Sequence, residues 1–280
     1  MKGSAILIKL IATDLDGTLM SPDHLTVTPR TVSALKAAHD KGVRIAIATG
    51  RPMALVDNVI NQVPFVDYII YSNGACVYDR NSNEIIYSKL IDNKTSVRII
   101  NFLLQSKVFF EIYVNGRSYY QLGTEDLFGD TEFPKEFISE VIKTMTGCVS
   151  LEEFLNGRGV EKITLYSVKP NDQDMFRTEL ESSGLAVASS FPGNVEATAL
   201  EADKGEALSG ICKTLGITSG ECMSFGDAGN DIPMLRFAGY SFAMGNGTEE
   251  CRRAAKYTAL SNAQDGLATA VEEYVLQGNV

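Results

Sequence analysis

The stretch LIATDLDGTLMSPD, residues 10–23, sets the reading of the chain: an apolar, strand-forming run stops at two carboxylates, Asp14 and Asp16, followed at once by Gly17 and Thr18. A short apolar run bounded by turn-forming residues is the pattern of a buried strand. Residues 5–12, apolar except for Lys9, are therefore expected to form a first strand, and they are too few to span a membrane. An EF-hand calcium loop starting at Asp14 is disfavoured, because Gly17 comes too early and Leu25 stands where the twelfth-position acid belongs.

Working outward, TVTPRTVSALKAAHDKG places Thr28 as N-cap, Pro29 as the first helical residue, Val32, Leu35 and Ala38 on one face, and Gly42 as the stop. VRIAIATG then reads as a strand, RPMALVDNVINQ as a helix beginning near Pro52, and VDYIIYSNGA as a third strand over 68–71. Strand and helix in alternation predict a parallel sheet with crossover helices. The middle of the chain differs. Hairpin patterns turn at 81–83 and at Asn115-Gly116, helices are expected near 96–105, 135–145 and 172–182, and KITLYSV reads as a strand. From about Gly193 the alternating rhythm returns: KGEALSGICKTLG is a helix stopped by Gly216, CMSFGDAGND a strand ending in acids, and DGLATAVEEYVLQ a closing helix. The expected organisation is a split α/β core, residues 1–83 and 193–280, around an inserted α+β module, residues 84–192.

The 280 residues are 45% hydrophobic and 21% charged, ordinary for a packed globular protein and unlike a disordered or fibrous one. A net charge of -10 repels a phosphate backbone and an anionic lipid surface, which argues against nucleic-acid or membrane partners. Five widely spaced cysteines without a CxxC pair signal neither a zinc cluster nor a disulfide framework, and predict buried thiols in a cytoplasmic protein.

In a parallel α/β sheet, ligands bind beyond the carboxyl ends of the strands. Four such ends carry polar groups: Asp14 with Asp16, Thr49, Asn73, and Asp227 with Asp231. Carboxylates gathered there repel one another, which implies a hard cation, and oxygen ligands alone favour Mg²⁺. A carboxylate can attack phosphorus to give an aspartyl-phosphate while a metal offsets the repulsion between anionic nucleophile and anionic substrate. A second acid two residues on reaches the leaving oxygen. Lys204, at a helix start, brings positive charge, and Thr49 and nearby backbone N–H groups donate hydrogen bonds.

DLDGTL, ATGRP, DKGEAL and GDAGND, in that order, resemble the four motifs of the haloacid dehalogenase-like hydrolase superfamily, and the arrangement is most similar to its Cof-type phosphatases. SNGA, AMGNG and DGLATAVEEY extend the resemblance over essentially the whole chain. It implies a Rossmann-like, doubly wound parallel core with a C2-type α+β cap inserted between the second and third motifs. Carried over residue by residue, Asp14 resembles the nucleophile and a Mg²⁺ ligand. Asp16 resembles the general acid/base and lends a backbone carbonyl to the metal. Leu15, Thr49, Gly50, Lys204 and Asn230 match substrate-binding positions, and Asp227 and Asp231 match the metal-binding acids. The function so implied is Mg²⁺-dependent hydrolysis of small phosphorylated metabolites (sugar phosphates, nucleotides or cofactor phosphates) by a monomer or homodimer. The alternatives are a phosphomutase or dedicated sugar-phosphate phosphatase and, from another class, a non-catalytic phosphate-binding regulator.

Overall fold

The structure is a computed structural model that describes residues 8–127, 143–190 and 192–278. Strands β1 (Leu10–Asp14), β2 (Arg44–Ala48), β3 (Tyr68–Tyr71), β4 (Cys76–Asp79) and β5 (Glu84–Ser88) come first. β6 (Phe109–Val114), β7 (Arg117–Gln121), β8 (Met145–Cys148), β9 (Lys162–Tyr166), β10 (Leu185–Ala188) and β11 (Val195–Ala199) follow, and β12 (Cys222–Gly226), β13 (Tyr240–Ala243) and β14 (Tyr257–Thr258) come last. They make two sheets, a larger one in the order β14-β13-β12-β1-β2-β3-β4-β5 and a smaller one in the order β10-β11-β9-β6-β7-β8.

From β14 to β3 every neighbouring pair is parallel, and β4 and β5 add an antiparallel edge. Both faces are covered by helices. Ile11, Ile45 and Ile47 pack with Leu35 and Ala38 of the helix Pro29–Asp40, while Leu10, Ala12 and Ala46 pack with Leu208 and Ile211 of the helix Lys204–Leu215. Alternate residues of one strand thus enter two cores, which is why β1 is apolar from Leu10 to Ala12, before Thr13 and Asp14 at its carboxyl end. Fully burying each such Leu or Ile stabilises the fold by about 1.5–3 kcal/mol. The helix ends follow local chemistry: the Thr28 side chain accepts the Thr31 N–H, and Gly216, at φ 65°, supplies the left-handed stop.

Several expectations shift. Of the first strand, expected over 5–12, residues 5–7 lie outside the described residues; the strand runs Leu10–Asp14 because pairing continues to Asp14↔Ala48. The helix expected over 135–145 lies outside the described residues from 135 to 142, and Met145–Cys148 is a strand parallel to β7. The boundaries expected at 83/84 and 192/193 do not follow sheet membership. The β4–β5 hairpin joins the large sheet through Tyr71↔Cys76, and β11 joins the small one through β9 and β10. A hairpin pattern specifies its own turn but not the strand beside which it docks.

The small sheet has one apolar and one polar face. Ile112, Ile163, Leu165 and Ala197 pack on Ile99, Leu103, Phe176 and Leu180 of the helices Asn93–Gln105 and Pro170–Ser182. The intervening residues Glu111, Tyr113, Lys162, Thr164 and Glu196 share the opposite face, and all are buried. This polar face turns toward the strand ends of the large sheet. The tip of the β6–β7 hairpin reaches the same place, where the Ala54 N–H donates to the Gly116 carbonyl at 2.9 Å.

The turn after β3 is strained, with Ser72, Asn73 and Gly74 all at positive φ (53°, 58° and 96°). It abuts the start of the helix that carries Lys204: a Cβ on Gly74 would stand 2.2 Å from the Asp203 carbonyl oxygen. Gly42 has a similar φ of 91°, but a Cβ there would meet nothing within 4 Å. Gly42→Ala should therefore cost about 1–2 kcal/mol, the backbone penalty alone, and Gly74→Ala distinctly more. Urea unfolding midpoints of the two variants check this, and equal losses would show that crowding at Asp203 is not the constraint.

Candidate active site

Asp14 is the last residue of β1, Lys204 the first of its helix, and Asp231 the last of the turn Gly229–Asp231 that follows β12. The Lys204 ammonium is fully buried and donates at 2.6 Å to Asp14 Oδ1 and at 2.6 Å to Asp231 Oδ1. The other oxygen of Asp231 accepts the N–H groups of Asp227 (2.9 Å) and Ala228 (3.0 Å), so Asp231 organises the loop that presents Asp227. Asp227 Oδ1 accepts the Thr18 hydroxyl at 3.0 Å. Gly17, at φ 83°, lets the chain turn here, since a Cβ would lie 2.4 Å from Asp227 Oδ2.

Burial, then the nearby Asp231, raises the Asp14 carboxyl well above its ordinary range despite Lys204. The same two causes push Asp227 up to about 7. Lys204 behaves in the opposite sense: burial would lower it, but Asp14 and Asp231 hold it above the usual lysine value. One ammonium thus faces three carboxylates, and oxygens of Asp14, Asp227 and Asp231 lie within 4.8 Å of one another. An all-oxygen, net-negative donor set of this kind fits a hard divalent cation such as Mg²⁺.

Asp16 stands apart from the cluster. Its carboxylate is clamped by Arg51, Nε to Oδ2 at 2.9 Å and Nη2 to Oδ1 at 2.5 Å, with His24 Nδ1 at 3.1 Å from Oδ1. Burial would raise Asp16, but Arg51 and His24 together hold it well below the carboxylate range. In this arrangement it is an anion, and proton donation requires release from the guanidinium.

The remaining expected residues gather on the neighbouring strand ends. Thr49 is buried, and its Oγ1 accepts the Arg51 N–H at 3.1 Å. The Gly50 carbonyl accepts from Lys162 Nζ at 2.6 Å. Asn230 Nδ2 donates to Asn73 Oδ1 at 3.0 Å and to Ser190 Oγ at 3.3 Å. Leu15 is wholly buried in the core beside Ile11, so only its backbone can serve a substrate.

Sequence reasoning places Asn73 at this edge without giving it a role, and it does not select Arg51, His24, Thr18, Lys162 or Glu196. Arg51 and Thr18 sit inside the ATGRP and DLDGTL motifs, so a signal for them is present. His24 carries none beyond its loop, and Lys162 and Glu196 look like the solvent-facing members of alternating strands.

A buried carboxylate–lysine–carboxylate group at the carboxyl edge of a doubly wound sheet, beneath a second α+β layer, is suited to phosphoryl transfer, and the similarity to known proteins makes the chain an enzyme of the phosphatase class. The chain belongs to the haloacid dehalogenase-like hydrolase family, whose pattern matches residues 11–271. Among similar proteins, Bacillus subtilis YxeH is 31% identical over 96% of this chain and 99% of its own length. The 5-amino-6-(5-phospho-D-ribitylamino)uracil phosphatase YcsE of the same bacterium is 27% identical over 96% of both chains. The solved structure of BT4131, a sugar phosphatase of HAD subclass IIB, superimposes with a TM-score of 0.81 at 28% identity, covering 95% of this chain and 98% of that one.

Removing Lys204 leaves two buried carboxylates without their shared cation. Lys204→Met should cost about 3–5 kcal/mol of stability in metal-free buffer. Chemical denaturation measures it, and a loss no larger than that of a surface ion pair would refute the electrostatic role given to this lysine.

Proposed function

We propose that the chain is a Mg²⁺-dependent phosphatase of small phosphorylated metabolites, acting through an aspartyl-phosphate on Asp14. The observation that carries this reading is the position of Asp14: at the end of β1, held through one oxygen by Lys204 and grouped with Asp227 and Asp231. Asp14 forms the O–P bond as the bond to the leaving oxygen breaks. Lys204 orients the nucleophile and places positive charge beside the transferring group. Asp16, released from Arg51, delivers a proton to the leaving oxygen, and then takes one from the water that cleaves the aspartyl-phosphate, returning Asp14 and orthophosphate. When bound, Mg²⁺ supplies charge compensation between nucleophile and phosphate, held by Asp14, Asp227 and the Asp16 carbonyl with Asp231 in support.

The polar, buried face of the small sheet satisfies many of its groups internally. Glu111 accepts from the hydroxyls of Tyr113 (2.9 Å), Ser118 and Tyr166, and Lys162 lies beside the same ring of Tyr113, 4.8 Å from its centroid. Sugar and polyol phosphates are the class that the relatives YcsE and BT4131 are named for, and they are the class proposed for this chain. The five cysteines are thiols, four of them buried, which supports a reducing, cytoplasmic setting. Among the described residues, no helix is long and apolar enough to cross a membrane.

Asp14→Asn should lower turnover of p-nitrophenyl phosphate by about three orders of magnitude or more while circular dichroism stays that of the wild type; near-wild-type hydrolysis would eliminate the covalent mechanism. Treatment with EDTA should silence the enzyme and added Mg²⁺ restore it, and full activity after chelation would remove the metal from the reading. A panel of sugar, polyol, nucleotide and cofactor phosphates, assayed for released orthophosphate, ranks the substrate classes. Isomerised product without orthophosphate would point to a mutase instead.

A further inference from the structure

Two charged side chains of the small sheet reach the loops that carry the phosphate-binding groups. Lys162, the first residue of β9, and Glu196, in β11, are 1% and 5% exposed and pair at 2.9 Å. Charges this far from water persist only where their hydrogen-bonding capacity is filled. Lys162 Nζ finds its further partner in the Gly50 carbonyl at 2.6 Å, and Glu196 accepts from Asn73 Nδ2 at 2.6 Å and from Ser190 Oγ at 2.9 Å.

Each of these contacts orients a group one step further on. The Gly50 carbonyl and the Arg51 N–H belong to one planar, trans peptide unit, so a fixed carbonyl fixes the N–H pointing the other way. That N–H donates to Thr49 Oγ1 at 3.1 Å. With its oxygen accepting there, the Thr49 hydroxyl must aim its own proton elsewhere. Glu196, an acceptor only, obliges Asn73 to present its NH₂, which turns the Asn73 carbonyl oxygen toward Asn230 Nδ2, 3.0 Å away. The Asn73 N–H also donates to the Thr49 carbonyl at 3.0 Å, joining the two chains of contacts.

We propose that Lys162 and Glu196 are positioning residues of the phosphate site: seated on the strand ends, the pair orients the Thr49 hydroxyl and, through Asn73, holds the loop that carries Asn230. These groups are then correctly aimed only while the small sheet covers the large one, which couples cover and chemistry without any contact to the leaving group. The proposal rests on the phosphatase reading and adds a consequence to it. Because the phosphate itself is the affected ligand, the effect appears even with orthophosphate, which has no leaving group.

The test compares wild type, Lys162→Met, Lys162→Arg and the double variant Lys162→Met/Glu196→Leu, which leaves no lone buried charge. Steady-state kinetics on p-nitrophenyl phosphate and calorimetric binding of orthophosphate are measured in Mg²⁺ buffer, with circular dichroism to verify folding. The expected result is a loss of about 10- to 100-fold in kcat/KM with a parallel loss of orthophosphate affinity in Lys162→Met. Lys162→Arg should recover part of it, and the double variant should fall little further, because the two residues act as a unit. Unchanged kcat/KM and unchanged orthophosphate affinity in the folded double variant would overturn the proposal. So would a loss of kcat/KM on the ester with unchanged orthophosphate affinity, which would make the pair a leaving-group contact. A wild type that binds orthophosphate but turns over no ester would overturn the phosphatase reading instead, and the binding comparison would still decide the role of the pair.

Discussion

A lysine with no exposed surface, lodged between Asp14 and Asp231, is the constraint around which the large domain is arranged. An ammonium cannot be buried without acceptors, and two carboxylates cannot approach without a cation, so each group makes the others tolerable. The three reach that point from distant parts of the chain: a strand end, a helix start and a loop. The helix start is itself held in place by the strained turn after β3. One lysine cannot neutralise three acids, however, and the upward displacement of Asp14 and Asp227 records the remaining imbalance. That imbalance is what a hard cation held by these acids would offset.

Asp16 lies two residues from Asp14 yet meets the opposite electrostatic fate. A bidentate guanidinium outweighs burial and keeps it ionised, whereas burial and a neighbouring acid outweigh the ammonium at Asp14. Two carboxylates on one turn are thereby given opposite protonation tendencies, and in the reverse sense to the proposed roles: an ionised Asp14 needs further positive charge beside it, and a protonated Asp16 needs release from Arg51. In the proposed mechanism Arg51 is the lever, since its engagement with Asp16 would decide whether a proton can be carried.

The small sheet solves a packing problem with consequences for the site. Its helices cover one face only, and the other, rich in acids and hydroxyls, is buried against the strand ends. The charges on that face are satisfied partly within the sheet, at Glu111, and partly across the junction, at Gly50 and Asn73.

Much of this is legible in the residues alone. The apolar run ending at Asp14, the capped helix from Pro29 and the acids after β12 follow from periodicity, cap chemistry and the rule that sheet ligands sit beyond strand ends, all of which are local in sequence. Asp14, Asp227, Asp231 and Lys204 can be brought together on paper because each ends or begins an element whose type its own neighbours specify. What the tertiary structure alone decided is non-local. Glu84–Ser88 docks on the large sheet and Val195–Ala199 on the small one, because pairing depends on which edge is available. Arg51 clamps Asp16, and Lys162 and Glu196 reach Gly50 and Asn73. Alternation along β9 and β11 marks a polar face, but water and a buried partner leave the same trace in a sequence, and only the packing of one sheet over the other distinguishes them.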